Sequence, residues 1–201
     1  LENVYINILV LNNENTSSRY YVGGLSGYGS GIIERTYVIG EISVKNASES
    51  FVGLLYGYAN GATIREVYTK GKIINQPKYV GKTGGVIGWS YSSVINNVYA
   101  TVEIISSGDY TGGVIGEQNY GEISEVYFNG VINSTSYYKG SVTGLMSSIT
   151  NARNLYGENG YLTFYFDNTN IINSYMLNGT GNGYNHFGHG EASITMLQNL
   201  E

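Results

Sequence analysis

The chain has 201 residues, a formal net charge of −5, 29 glycines, 21 tyrosines and no cysteine. Without cysteine it can have neither a disulfide framework nor cysteine-based metal or redox chemistry. Its ten lysines and arginines do not cluster, so nucleic acid and anionic membrane surfaces are poor partners, and no apolar run is long enough for membrane insertion. Glycine supplies tight turns and tyrosine favours strands, so the composition predicts a β protein with many turns.

Residues 1–20 are predicted to be half a coil of a repeat. Residues 2–11 read ENVYINILVL and match the second half of the unit that follows, and residues 12–19 are polar enough for a turn. The segment lacks the basic start and the small-residue cleavage site of a signal peptide. We therefore expect the parent protein to continue upstream, to carry any export signal there and to contain further domains.

Residues 21–156 contain a repeat of two halves. The first half is rich in glycine and reads VGGLSG, VGLLYG, TGGVIG, TGGVIG and, in a weaker form, VTGLMS, starting at Val22, Val52, Thr83, Thr111 and Val142. The second half ends in tyrosines that lie 28 to 32 residues apart, at Tyr5, Tyr37, Tyr68, Tyr99, Tyr127 and Tyr156. A period of this length is the sequence signature of stacked repeats.

Alternation within each half predicts which side chains face the core. In the first half, an apolar position with small residues on either side is predicted to be interior, at Leu25, Leu55, Val86, Val114 and Leu145. The fifth repeat has Thr143 and Ser147 where glycine is expected. In the second half, the set with charges is predicted to face water and the other set the core: Tyr68, Lys70 and Lys72 against Val67, Thr69, Gly71 and Ile73.

These patterns together predict an all-β fold, a parallel β-helix (β-solenoid) of about five or six coils. A coil of about 30 residues at about 3.3 Å per residue has a path of about 100 Å, which suits two or three short strands per turn stacked about 4.8 Å apart. The wind is expected to be right-handed. Residues 157–201 are predicted to form a terminal coil and cap, with a short C-terminal helix over residues 194–200 that Ser193 caps.

The recurring tyrosines are the candidate binding surface. Parity with the charged residues of the same strands predicts an outward row, about 4.8 Å apart, made of Tyr37, Tyr68, Tyr99 and Tyr127. Tyrosine combines an apolar ring with a hydroxyl, which suits a protein or glycan partner. Two alternatives stay open. The rings form a self-stacking ladder that only stiffens the sheet, or a bend reverses the parity and buries them after Ile64, Ile95 and Ile123.

No catalytic set is evident in the sequence. Glu34, Glu66 and Glu125 share, with Asn97, a position shortly before the tyrosines, and this stripe is predicted to be solvated surface charge. A polysaccharide lyase or hydrolase needs carboxylates or basic residues that converge on one face. Because parallel β-helices often host such reactions, a carbohydrate-active enzyme is the alternative function.

Metal binding has only weak candidates. His186 and His189 lie three residues apart in HFGHGE and could share an ion if the loop folded back. Calcium-binding repeat solenoids need periodic aspartates, and this chain has only two, Asp109 and Asp167. No cofactor is therefore expected.

The run VGGLxG, followed by a Gly/Asn turn and by IxxxYxxGxI, resembles the GLUG repeat of bacterial surface proteins, over roughly residues 21–156. The resemblance implies a non-catalytic module of a larger secreted or cell-wall-attached protein of Gram-positive type, which acts as a rigid spacer or binds a host protein or glycan. GLUG-like repeats occur in adhesins and in the N-terminal part of immunoglobulin A1-cleaving zinc metallopeptidases. The resemblance thus implies that any peptidase active site lies elsewhere in the parent protein.

Overall fold

The computed structural model describes residues 1–12, 18–158, 161–167 and 171–177, and every regular element in these ranges is a β-strand. The strands are β1 Glu2–Asn12, β2 Arg19–Gly23, β3 Ser26–Lys45, β4 Glu49–Gly53, β5 Tyr56–Gln76, β6 Val80–Gly84, β7 Ile87–Ser106, β8 Tyr110–Gly112, β9 Ile115–Phe128, β10 Val131–Ser134, β11 Tyr138–Gly140, β12 Thr143–Ser147, β13 Asn151–Glu158, β14 Thr163–Asp167, β15 Ile171–Ile172 and β16 Tyr175–Leu177. The predicted C-terminal helix lies outside the described residues.

The strands wind into a β-solenoid of about five turns, which confirms the predicted fold class. Long strands of successive coils form one parallel sheet in the order β1-β3-β5-β7-β9-β12-β14, with β10 on β7 and with β13 joining β9 to β15 and β16. Short strands form a second parallel sheet in the order β11-β8-β6-β4-β2. The first three full coils each contribute one short and one long strand, and in the next coil the long strand is divided into β9 and β10. The right-handed wind stays a prediction.

The core is a set of aliphatic columns that run along the stack. In β5, Val67, Thr69 and Ile73 are buried, while Tyr68 and Lys70 between them face outward, as the alternation predicts. Their partners in the next coils are in register and equally buried, and each fully buried Val, Leu or Ile contributes about 1.5–3 kcal/mol. The predicted interior positions Leu55, Val86 and Val114 are fully buried as well. The described part of the chain contains no helix that could span a membrane.

Two bends per coil divide the long strand into straight segments. At one bend of β5, Glu66 (φ 53°) lies between the buried residues Ile64 and Val67, which are three residues apart. The other bend of that strand is at Gly61, with φ 65°. A residue in this region interrupts the alternation of the strand, so two consecutive side chains face solvent.

Glycine is required where the short strand turns back into the long one. A Cβ atom on Gly84 would lie 2.1 Å from the carbonyl oxygen of Ile87, and one on Gly112 would lie 1.9 Å from that of Ile115. Both contacts are with backbone, which cannot move aside without opening the corner. Glycine is therefore needed in the first half-repeat because two segments of backbone are in direct contact there.

The fifth repeat is aligned three residues earlier than the sequence motif indicates. Lys139 and Gly140 pair with Thr111 and Gly112, and Val142 takes the place of Val114. The expectation that Thr143 and Ser147 replace glycines is thus wrong, because Gly140 and Gly144 occupy those places. Leu145, predicted to be interior, instead pairs with Glu117 and is only half-buried.

A polar cluster lies inside the solenoid between the two sheets. The Ser50 hydroxyl donates to Asn75 Oδ1 (2.5 Å), and Asn75 Nδ2 donates to Thr83 Oγ1 (2.8 Å), which is 3.0 Å from Ser106 Oγ. Because these buried groups satisfy one another, they do not carry the penalty of unpaired buried polar atoms.

Candidate functional site

The recurring tyrosines form one continuous column along the stack. Each tyrosine pairs in register with the tyrosine of the next coil, and this tyrosine column consists of Tyr5, Tyr37, Tyr68, Tyr99, Tyr127 and Tyr156. The ring centroids of successive tyrosines from Tyr5 to Tyr127 are 5.4, 4.8, 5.0 and 5.0 Å apart. The Tyr37 and Tyr68 rings are almost parallel, at 6°. The rings thus cover one another's faces and leave edges and hydroxyls to solvent.

The tyrosine column lies on the outer face: Tyr5 is exposed and the other five tyrosines are half-buried, so the alternative in which the rings are buried is wrong. A bend does follow Ile64, Ile95 and Ile123, but it has the opposite effect. Because Ile64 and Val67 on either side of the bend both point inward, Tyr68 is turned outward. Without the bend, strict alternation from Ile64 would have directed Tyr68 into the core.

The residues at this bend form a second column, two positions before each tyrosine. We call it the bend column; all its members have φ between 46° and 55°, and they are Asn3, Arg35, Glu66, Asn97, Glu125 and Asn154. Asparagine tolerates this conformation better than most residues. Glu34 was predicted to share the position of Glu66 and Glu125, but Glu34 pairs with Arg65, and Arg35 occupies the bend.

An open groove of about 310 Å³ runs between the bend column and the tyrosine column. This tyrosine groove spans three coils and is lined by Arg35, Thr36, Tyr37, Glu66, Val67, Tyr68, Asn97 and Tyr99. Three residues of the predicted binding row thus meet in one concave surface, and Tyr127 lies outside it.

Ion pairs between coils hold the charged side chains of the tyrosine groove. Arg35 contacts Glu2 through its guanidinium, donates from Nε to Asn3 Oδ1 (3.2 Å), and lies 3.8 Å from Glu66 Oε2. Arg65 lies 3.7 Å from Glu34 Oε1. All five ionic side chains of these pairs keep a quarter or more of their surface exposed, so the pairs contribute little to stability. The lining of the groove itself carries one cation, Arg35, and one carboxylate, Glu66.

A second cluster of aromatic side chains lies where the short sheet faces the long one. Lys82 Nζ is 2.8 Å from Glu117 Oε2, and both side chains are almost buried. The ammonium lies 3.6 Å from the centre of the Trp89 ring, 5.2 Å from Phe51 and 5.5 Å from Tyr110. Ring faces attract a cation by their quadrupole, so the cluster stabilises the charge that burial disfavours. Burial nevertheless lowers the pKa of Lys82, against the opposing effect of Glu117.

The Lys82 cluster was not predicted, although the sequence contains its signal. One residue per coil stands two positions before the first glycine of the repeat, and it is aromatic except in the third coil: Tyr21, Phe51, Lys82, Tyr110 and Tyr138. In the facing column, Tyr28, Tyr58 and Trp89 are followed by Glu117. Two opposite charges that interrupt two aromatic columns at facing positions indicate an ion pair.

The described ranges contain no cluster of side chains that would form a metal site. No group of three His, Cys, Asp or Glu residues there could hold a metal ion. The weak metal candidates His186 and His189 lie outside the described residues. Glu66 and Glu125 are separated by one coil, with Asn97 between them. The site offers aromatic edges, hydroxyls, an amide and a pair of opposite charges, which are groups that can contact a ligand.

We compared the chain with protein-family models, with curated proteins and with solved structures, and none of the three comparisons found a match. The resemblance to GLUG repeats therefore rests on the sequence motifs alone.

Proposed function

We propose that this chain is a rigid, non-catalytic spacer module of a larger secreted or cell-wall-attached bacterial protein. One observation carries the proposal: the tyrosine column passes from coil to coil in unbroken register, from Tyr5 to Tyr156. Stacked aromatic pairs stabilise a sheet by about 0.2–1 kcal/mol each, so a continuous column stiffens the stack along its axis. The GLUG-like motifs support the same context, including that of an accessory region beside a protease domain.

Insertion of whole coils tests the spacer function. Tyr68 and Tyr99 are register partners, so extra copies of residues 68–98 can be placed after Val98 in register. Lys82→Phe is made in every such stretch except the one that directly precedes Tyr99, so that no buried lysine is left without Glu117. We expect each copy to lengthen the particle by about 4.8 Å, in proportion to the number of copies, as measured by small-angle X-ray scattering. A copy of residues 68–97 is the matched control, because one missing residue turns each following side chain to the opposite face and should prevent folding.

A length that does not grow in proportion to the number of full copies contradicts the spacer function. If the chains with full and with shortened copies fold equally well, the coil-to-coil register on which the spacer function depends is contradicted.

Partner binding is a second candidate function, and the tyrosine groove favours it. A spacer needs no concave outer surface, yet three coils combine to form this one. The partner is a host protein or a glycan, as the resemblance implies. A carbohydrate-active enzyme has weaker support, because Glu66 and Glu125 flank an amide rather than facing each other across a cleft. Incubation with polysaccharides should release no new sugar ends; release that Glu66→Gln or Glu125→Gln abolishes would establish the enzyme instead.

A further inference from the structure

The tyrosine groove has a defined direction, which limits the ligands it can hold. It runs along the stack axis, across the coils of Tyr37, Tyr68 and Tyr99, rather than along one strand. Equivalent side chains therefore recur every 4.8 Å or so along its length. A linear polymer with a short repeat can contact such a surface with successive units in the same way.

Charge disfavours an anionic ligand as the occupant of the groove. The guanidinium of Arg35 already faces Glu2 and Glu66, and the lining contains no other cation. A phosphate or sulfate group would have to displace a carboxylate from Arg35, and the chain as a whole is acidic. An uncharged ligand meets no such opposition.

The sheet beneath the groove excludes recognition of an extended peptide by strand addition. β3 is paired on both sides, with β1 and β5, and β5 is paired with β3 and β7. The backbone donors and acceptors under the groove are thus occupied by the parallel ladder, whereas a peptide that adds a strand needs a free sheet edge. A ligand in the groove must bond to side chains.

The side chains that line the groove suit a ligand rich in hydroxyl groups. Tyrosine hydroxyls both donate and accept, the Asn97 amide does the same, the Arg35 guanidinium donates and the Glu66 carboxylate accepts. The stacked rings place their edges beside these groups, so a ligand in the groove meets apolar ring edges next to polar atoms. Hydroxyls and C–H edges alternate around a sugar ring, and they do so in no other neutral linear biopolymer.

We propose that the tyrosine groove binds a neutral, linear oligosaccharide that lies along the stack axis across three coils. This inference rests on the second candidate function, partner binding. Contacts come from the edges and hydroxyls of Tyr37, Tyr68 and Tyr99, from the amide of Asn97 and from the Arg35–Glu66 pair.

The test uses the whole chain against immobilised neutral β-glucan, chitin, mannan and galactan oligosaccharides of increasing length. A heparin fragment and a β-strand-forming peptide serve as charged and peptide probes. We expect at least one neutral oligosaccharide to bind, with an affinity that rises until the ligand spans three coils, about 10 Å, and then levels off. Binding of only the heparin fragment or the peptide, or binding of none of the neutral sugars, overturns the proposal. The coil-insertion result is independent of this outcome, so failure of the glycan leaves the spacer function intact.

Matched variants within the tyrosine column distinguish a role in sugar binding from a role in stabilising the stack. Tyr68→Ser removes a groove residue, whereas Tyr127→Ser removes an equivalent ring that lies outside the groove. Both should lower the melting temperature to a similar extent, but only Tyr68→Ser should weaken sugar binding, by at least tenfold. Asn97→Gly, which keeps the bend and removes the amide, should weaken binding with little change in melting temperature. Equal loss of binding in Tyr68→Ser and Tyr127→Ser, or unchanged binding in Asn97→Gly, overturns the proposal.

Discussion

At the scale of single residues, the Lys82–Glu117 pair is the most demanding feature of the solenoid. Two charges leave water at facing positions of columns that are otherwise aromatic. Buried ion pairs seldom add net stability, because desolvation offsets their attraction, but loss of one partner is severe. The pair therefore acts through specificity: a coil displaced along the stack would place one charge against an aromatic ring without its counter-ion.

Removal of one partner of the Lys82–Glu117 pair should lower the free energy of unfolding far more than removal of both. Lys82→Met leaves the Glu117 carboxylate buried without a cation, and we expect it to lower the free energy of unfolding by about 3–5 kcal/mol. The double variant Lys82→Met/Glu117→Leu should recover most of this loss, because Leu145 already occupies the Glu117 position in the following coil. Urea denaturation, followed by the fluorescence of the single tryptophan, measures both. A double variant as unstable as Lys82→Met contradicts the interpretation.

The bend column makes a prediction in which two adjacent residues respond with opposite sign. Glu66 has φ 53°, a conformation that costs an L-residue about 1–2 kcal/mol and glycine almost nothing. Glu66→Gly should therefore raise the free energy of unfolding by up to about 1 kcal/mol. Arg65→Gly is the control: Arg65 is equally exposed but has ordinary strand geometry, so glycine there should lower stability by about 0.5–1 kcal/mol. Thermal denaturation of both variants checks the signs, and a loss of stability in Glu66→Gly contradicts the strain.

At the scale of strands, the sequence predicts segments better than it predicts the joints between them. Alternation identifies the inward set Val67, Thr69 and Ile73 because period 2 is a property of each strand by itself. The bend at Glu66 could not be derived in the same way, since glutamate carries no preference for positive φ and reveals the bend only through its coil-to-coil partners. The fifth repeat was misaligned for a related reason: VTGLMS resembles the motif in composition, whereas KGSVTG matches its glycine spacing.

The same limit explains what was predicted of the site. The tyrosine column could be predicted because one residue type recurs at a fixed period. The tyrosine groove could not, because its shape depends on how the bend column and the tyrosine column are placed relative to each other across the bend. The Lys82–Glu117 pair depends on contact between the short strand of one coil and the long strand of the next. The geometry of this contact depends on the corner between the two sheets. Alternation within a strand gives no information about that corner.

Strand β5 contains two glycines that should respond very differently to alanine. A Cβ atom on Gly71 (φ 143°) would lie 1.8 Å from the carbonyl oxygen of Gly40 in the preceding coil, whereas one on Gly61 (φ 65°) meets no atom within 4 Å. Gly71→Ala should lower the free energy of unfolding by at least about 3 kcal/mol, from strain and overpacking together. Gly61→Ala should cost only the strain, about 1–2 kcal/mol. Chemical denaturation of the two variants measures the difference, and equal losses contradict a close approach between coils at Gly71.

At the scale of the whole molecule, we expect three buried or half-buried tyrosines to govern the response to alkali. Burial raises the pKa of Tyr56, Tyr58 and Tyr110 above the ordinary value of 10.0. A raised pKa in the folded state contributes stability that is fully present below pH 10.0 and is lost as the pH rises through the folded-state pKa. Lys82 acts in the opposite sense, since its lowered pKa makes stability increase with pH up to 10.5.

Above pH 10.5 the effect of Lys82 is complete and only the tyrosines still titrate, so the melting temperature should fall there as the pH rises. Thermal denaturation from about pH 8 to about pH 11 measures the slope. Tyr56→Phe should make the decline shallower, and Tyr79→Phe, at a highly exposed ring, is the matched control that should leave it unchanged. A slope that is identical in the two variants contradicts the role of buried phenols.

The parallel stacking of coils has a mechanical consequence. Hydrogen bonds between coils point along the stack axis, so a pull on the two ends of the solenoid loads the bonds of one terminal coil at a time instead of sharing the force among all coils. One coil contributes about 4.8 Å to the folded length but releases about 100 Å of chain when it unravels. Each coil also contacts only its neighbours, so the remaining coils stay folded while the terminal one yields. Under tension the module would lengthen in discrete steps and absorb work at each, while under compression it would behave as a stiff rod.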